Sequence, residues 1–350
     1  MPVLDINNVI EGLKLKKDTL SSLGGLLFKK GTIITNINIE IMKAFGVKQV
    51  EVEDDNKIKN IKQTETINLE EKNWNKELIK ARDEMSKVLQ TAQGSSPISI
   101  IEVRNLLSPL IKEIEKNPTI IFTFGVKTYQ YKYLELHSLA VGLISYIIAK
   151  WNDIPENELI QIGMAGLLHD IGLTRINQKI IEQKGKLTED EYNEIKKHPV
   201  IGYNLIKNLV GISDGVRLAV LQHHERNNGS GYPLGLKSEA IHLYAKIVAV
   251  ADSFHAMISK RPHRNENIQF IALDKLLNES FAYYERNVVL RFVNGLMNNF
   301  LGEKVKLNNN QIGEIIYIDK QNPTKPIIRL IDNNILNLTN EKNIHIVEVL

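Results

Sequence analysis

No cysteine occurs among the 350 residues. That excludes disulfides, thiolate zinc ligands, iron–sulfur clusters and thiol nucleophiles, and leaves imidazole and carboxylate as the only strong metal ligands. An excess of charge of one sign is also missing: 44 Lys and Arg stand against 41 Asp and Glu, a formal +3. A sequence-independent binder of DNA or RNA neutralises many phosphates and needs a larger basic surplus, so no nucleic-acid polymer is expected as a partner. Proline is scarce, at 10 residues, while 43% of the chain is hydrophobic, which supplies core material and argues against general disorder. Long apolar runs are lacking too: LAVGLISYIIA, at 139–149, falls well short of the roughly 20 residues of a membrane span. Its stripe of Leu139, Leu143 and Ile147 has the spacing of a core helix. At the N-terminus, Asp5 and Glu11 stand where a signal peptide requires a basic start and an unbroken apolar run. The expectation is a cytoplasmic protein with no membrane partner.

The length exceeds a comfortable single-domain size. Residues 1–54 read as a small α+β module: a hairpin around LLFKKGTIIT, a short helix stopped by Gly46, and an alternating strand VKQVEV. Residues 55–75 hold charges, amides and isolated Ile, the composition of a polar linker. Helical periodicity dominates 76–300. Short β-type runs separated by Asn, Gly and Pro fill 301–350, which predicts a small β-barrel or sheet. The expected fold class is multidomain and mainly α, with a central all-α domain flanked by these two modules. The helical run 288–300 is placed to pack on the β module or on a second subunit.

Of nine histidines, five, His137, His169, His198, His223 and His224, fall between 137 and 224, with Asp170 among them and Asp252 shortly after. Taken singly, each His is more often a core residue than a ligand; the cluster is different. His169-Asp170 ends the apolar segment 163–168, near a helix C-terminal end where an adjacent pair can face one site. His198 follows the capping-box pair Thr188 and Glu191 and precedes Pro199, which places it at a helix junction. His223 and His224 are helix neighbours about 100° apart, so both serve one cluster only at its rim or with one acting through the other; one of them is expected to ligate more directly. Asp252 sits in the apolar run IVAVADSF, where an unpaired carboxylate is costly and a buried cation would relieve the cost. His242, His255, His263 and His345 read as structural or surface residues, although His255 lies three residues after Asp252, near the site on a helix.

His137, His169-Asp170, His198, His223-His224-Glu225, Gly231-Tyr232-Pro233 and Asp252, in this order and within the stretches HHERNNGSGYPLGL and ADSFHAMISKRPHR, resemble the HD-GYP subgroup of the HD superfamily of metal-dependent phosphohydrolases. The resemblance covers about residues 130–290. It implies an all-α HD fold, two or three divalent metals, usually iron or manganese, and hydrolysis of cyclic di-GMP, with His169 and Asp170 at the catalytic centre. By the same resemblance His137, His169, Asp170 and Asp252 surround one metal, His198, His223 and His224 the other, and Asp170 bridges. Some members hold a third metal through a Glu four residues before the first histidine. That position is Tyr133 here, and Glu135 points to another helix face, so a two-metal site is expected, which by resemblance favours the linear dinucleotide pGpG over GMP. Such a pair of ions, about 3.5–4 Å apart, can activate a shared hydroxide and clamp a phosphodiester.

For substrate, Gly231, Tyr232 and Pro233 offer a tight turn and a ring, and Arg261 and Arg264 can fork to phosphate or guanine. The sequence departs from the subgroup at Leu173, which stands where a lysine usually approaches the phosphate; Arg175 reads either as its substitute or as a solvated charge. Asn228 and His255 stand for the usual Asp, and His263 for the usual Tyr. Two other readings stay open: a catalytically weak sensor of cyclic di-GMP, and a phosphodiesterase for another cyclic dinucleotide or phosphodiester. The terminal modules are where self-association or a signalling partner would act.

Overall fold

The computed structural model describes residues 3–6, 9, 11–22, 24–53, 55–94, 96–127, 133–183, 185–259, 268–341 and 343–350. The chain divides into two compact units, Met1–Lys76 and Glu77–Leu350.

In the first unit, strands β1 (Val3–Asp5), β2 (Thr19–Leu20), β3 (Leu26–Phe28) and β4 (Gln49–Glu51) accompany helix α1 (Asn36–Ala44). β1 pairs with β4 and β2 with β3, both antiparallel. Thr35 caps α1 in a reciprocal box with Asn38, and the chain leaves it through Gly46 at φ +70, a left-handed value that favours glycine. Leu4, Leu13, Leu15, Ile34, Met42, Val50 and Val52 are buried together. The expected α+β module is therefore present. Helix α2 (Asp55–Gln93) follows, so the stretch read as a polar linker at 55–75 has helical backbone. No Gly or Pro interrupts 55–93, and its many Lys, Glu and Gln are good helix formers whatever their polarity.

The second unit is helical: α3 (Ile100–Lys116), α4 (Phe122–Lys127), α5 (Tyr133–Trp151), α6 (Glu156–Leu168), α7 (Gln178–Ile181), α8 (Glu189–Ile195), α9 (His198–Ile206), α10 (Asp214–Gln222), α11 (Leu243–Ile258), α12 (Ile268–Glu279) and α13 (Arg286–Met297). At its centre α5 packs against α3, α6, α11 and α13. By length and composition α5 could cross a membrane, yet 83% of its apolar window is buried inside the fold, as suits the core helix expected at 139–149. Gly172, in the 3-10 turn Ile171–Arg175, lies against the start of α9: a Cβ there would collide with the His198 carbonyl and come within 2.6 Å of Gly202 N. Only glycine lets that turn approach α9 so closely, and the approach sets Asp170 beside His198.

After α13 come β5 (Lys304–Leu307), β6 (Ile312–Tyr317), β7 (Ile327–Leu330), β8 (Ile335–Asn337) and β9 (Ile346–Val349) in one antiparallel sheet ordered β8-β7-β6-β5-β9. β8 and β9 are its two edges and do not pair, so of the expected barrel or sheet the structure forms an open sheet. Val305, Leu307, Ile315, Ile328 and Leu330 make its buried face. The run 288–300 contacts this module, where Asn294 Nδ2 donates to the Lys320 carbonyl at 2.9 Å.

Candidate metal centre

Asp170, immediately after α6, carries two carboxylate oxygens that face opposite ways. Oδ2 lies 3.2 Å from His169 Nε2 and 3.5 Å from His137 Nε2. Oδ1 lies 3.2 Å from His198 Nε2 and 3.7 Å from His223 Nε2. Asp252, from α11, places Oδ1 3.3 Å from His137 Nε2. Two donor groups result, His137 with His169 and Asp252, and Asp170 with His198, His223 and His224; within each, the donor atoms lie within 4.8 Å of one another. Ligands about 2.0–2.1 Å from one ion stand about 3 Å or a little more from each other, which is the spacing seen here.

The histidines are aimed by their outer nitrogens. His169 Nδ1 lies 2.7 Å from the Gly166 carbonyl, His198 Nδ1 2.8 Å from that of Ile195, and His223 Nδ1 2.9 Å from that of Val220. A carbonyl only accepts, so each Nδ1 carries a proton and Nε2 is the atom turned inward, where its lone pair would serve a cation in place of a proton. Helix ends make this available: the last carbonyls of a helix have no intrahelical partner, and each of these residues follows one. The result is uncomfortable without a cation. His198 Nε2 and His223 Nε2 face each other at 3.1 Å, and the buried His169 Nε2 has the Asp170 Oδ2 oxygen at 3.2 Å. The donor set and its geometry therefore fit divalent metal, with nitrogen and oxygen ligands suited to iron, manganese or zinc.

Electrostatics points the same way. Burial opposes charge on Asp170, but His169, His198 and His223 hold its carboxyl well below the usual range. Asp252 is likewise lowered, by His137 above all, against burial. Burial disfavours the charged form of His169, yet the Asp170 carboxylate raises it to about 9, so that a proton stands where a cation would. Burial pushes His223 down to about 4 and His224 well below its ordinary value. Of this adjacent pair, His223 approaches Asp170 directly, while His224 turns its ring onto Tyr232.

The loop after α10 closes one side. Tyr232 stacks on His224 with ring centroids 4.6 Å apart and 25° between planes, and its backbone N–H donates to the His224 carbonyl at 3.2 Å. Gly231 lies so close to Glu225 and Arg226 that no Cβ fits, and Pro233 follows a cis bond. Asn228 Oδ1 accepts from Ser230 N and Oγ, a contact internal to the loop. Leu173 is half-buried on the turn after Asp170. Arg175, weighed as a substitute cation, instead caps α2: Nε donates to the Ala92 carbonyl at 2.8 Å and Nη2 to that of Gly94. Helix C-terminal carbonyls carry partial negative charge, which explains that choice. Arg261, His263 and Arg264 lie outside the described residues.

Two residues of this region were not singled out by sequence as parts of the site. Glu225 is 2% exposed, and its oxygens accept the backbone N–H groups of Leu234 at 2.7 Å and Leu236 at 2.9 Å, fixing the loop that carries Tyr232. Its place directly after the His pair was the available signal. His255, read as structural, touches His137 at 2.8 Å between Nδ1 atoms. Tyr133, at the position of a third-metal Glu, lies flat on His137 with centroids 5.1 Å apart.

Residues 129–288 match the HD domain family. The chain is 37% identical over 193 residues to the cyclic di-GMP phosphodiesterase response regulator RpfG of Xanthomonas campestris, covering 52% of this chain and 50% of that protein. It is 29% identical over 211 residues to the cyclic di-GMP phosphodiesterase PdeB of Borreliella burgdorferi, covering 60% of this chain and 55% of that one. It is also 37% identical over 142 residues to the 3'3'-cGAMP-specific phosphodiesterase 1 of Vibrio cholerae, covering 41% and 32%. The chain thus spans about half the length of the first two and less of the third.

Proposed function

We propose, from the match of residues 129–288 to the HD domain family, that this chain is a metal-dependent phosphodiesterase that opens cyclic di-GMP to the linear dinucleotide pGpG. The observation that carries the reading is the Asp170 carboxylate, which turns Oδ2 to His137 and His169 and Oδ1 to His198 and His223, joining two donor groups into one centre. His137, His169 and Asp252 would hold one divalent ion and His198, His223 and His224 the other, with Asp170 serving both. When bound, a pair of iron or manganese ions activates water and neutralises charge developing on a phosphodiester. Around them the chain excludes solvent: His137, His169, His198 and His223 are all at most 3% exposed, which strengthens every charge interaction inside. Tyr232, braced by His224, offers a ring wall beside the centre for a base or ribose. Cyclic di-GMP is favoured because two of the relatives above carry that activity in their names.

A second reading, a sensor that binds without turnover, is favoured by one observation. Leu173 puts an apolar side chain on the turn after Asp170, and Arg175 is engaged with α2. The experiment is turnover by protein purified without oxygen and supplied with Fe(II) or Mn(II), given cyclic di-GMP and 3'3'-cGAMP in competition, with products separated by chromatography. Linear pGpG from the parent and none from a His169→Ala, Asp170→Ala variant is the expected result. Tight binding with intact substrate would replace the enzyme by the sensor, and preferential loss of 3'3'-cGAMP would replace the substrate.

A further inference from the structure

The inward-facing histidines of the centre are held in two different ways. His169, His198 and His223 each give Nδ1–H to a carbonyl three residues back, at a helix end. His137 cannot do this, because it lies within α5, where the carbonyl one turn back serves the helix ladder. Its Nδ1 instead lies 2.8 Å from Nδ1 of His255, a residue 118 positions away in sequence. Both rings are buried, at 3% and 0% exposure. Two imidazole nitrogens at that distance share one proton, so one donates and the other accepts. Since His137 Nε2 faces the Asp170 and Asp252 carboxylates, and a metal there needs the lone pair of Nε2, the shared proton belongs to His137 Nδ1. One turn of α11 thus delivers Asp252 to the inner side of the His137 ring and His255 to its outer side. Phe124, edge-on at 6.3 Å between centroids, and Ser259 Oγ, 3.3 Å from His255 Nδ1 and donating to the His255 carbonyl at 2.7 Å, hold the second ring in place.

We propose that His255 is a positioning residue: by accepting the Nδ1–H of His137 it fixes Nε2 as the metal-facing atom, so that the His137, His169 and Asp252 group depends on His255 and the Asp170, His198, His223 and His224 group does not. The proposal rests on the reading of these groups as a metal centre. A neutral imidazole is a weaker acceptor than a carboxylate, the other common partner of a ligating histidine, so a carboxylate at position 255 would make His137 the more basic and its group the tighter holder of an ion.

The chemistry of the acceptor permits a test that packing cannot imitate. Nδ1 of His and Oδ1 of Asp or Asn all stand two bonds from Cβ, so Asp and Asn keep an acceptor at the same place, whereas Leu fills the space without one. Mn(II) titration followed by electron paramagnetic resonance, with chelator competition, is run on the parent, His255→Leu, His255→Asn and His255→Asp. His255→Leu is expected to lose about 10–100-fold in affinity for one of two ions and to keep the other. His255→Asn retains both, and His255→Asp binds the ion that His255→Leu loses more tightly than the parent. Thermal melting of the metal-free forms checks folding, and the polar variants keep the test valid if the Leu variant fails to fold. A purely space-filling role predicts the reverse order, Leu above Asp, and that order would overturn the proposal, as would unchanged affinity in His255→Leu. A parent that binds no Mn(II) would overturn the metal centre itself, and the proposal with it.

Discussion

The metal cradle and the loop beside it are built on opposite principles. The cradle draws its side chains from α5, the ends of α6 and α10, the start of α9 and the middle of α11, and most of its histidines are aimed by backbone carbonyls that exist because the helices end there. The loop 226–236 has little regular structure, and its course is set by a buried carboxylate, Glu225, that accepts from Leu234 and Leu236, together with a few backbone bonds such as those of Tyr232 N–H to the His224 carbonyl and Asn227 N–H to that of Tyr283. The cradle is therefore a property of helix packing, with support spread over many residues, while the loop hangs on one buried carboxylate and a few backbone bonds. On the proposed function the difference separates two jobs: holding metal would belong to the fold, and presenting Tyr232 to a substrate would belong to the Glu225 anchor.

The largest effect that would test this separation is at the shared carboxylate. Asp170→Asn removes the charge that both groups face, so it should lower turnover by about 10³-fold or more and cut metal content below two ions, read by elemental analysis beside product chromatography. At the anchor, Glu225→Gln leaves one backbone N–H facing an amide –NH₂, a loss of about 1–3 kcal/mol. Its expected signature is a KM raised about tenfold or more with two ions still bound; loss of metal instead would mean that loop and cradle are one unit.

Acid should strain the cradle more than the loop. Burial holds His223 at about 4 and His224 and His255 well below their ordinary 6.5. Below 6.5 the unfolded chain therefore takes up protons that the folded chain refuses, and stability falls as pH falls. His169, raised to about 9, acts in the other direction: its contribution is complete below 6.5 and is lost as pH rises through 9. Metal-free protein is accordingly expected to melt at a lower temperature near about pH 5 than near about pH 7; an equal or higher Tm in acid would contradict the buried neutral histidines. The smallest effect belongs outside both regions. Arg175→Ala removes the cap on α2 and should cost about 1 kcal/mol or less in a denaturant titration, with turnover unchanged. A fall in turnover would return Arg175 to the substrate's vicinity.

The parts of this site legible in the sequence were those set by residue type and order. A run of His and Asp in HD and GYP order carried the resemblance to the HD family that residues 129–288 match, and the alternation of short strands announced the two flanking modules, because local periodicity carries those. What stayed hidden depends on distant pairs. That His255 meets His137 is decided by how α11 crosses α5, and Arg175 finds the end of α2 more than eighty positions upstream. Glu225 was quoted in the motif after the histidines but given no role, since nothing local shows that two N–H groups further along the loop turn back to it. The helix through 55–75 was missed for a different reason: its polar composition says nothing about burial, but helix propensity does not require burial.

The central claim is that one carboxylate, Asp170, couples two metal ions. Electron paramagnetic resonance of Mn(II)-loaded protein tests it most directly, together with a count of ions per chain. The account predicts two Mn(II) per chain with the spectrum of an exchange-coupled pair, which gives way to isolated-ion signals in Asp170→Asn. Isolated-ion signals from the fully loaded parent, or a third ion per chain, would contradict it.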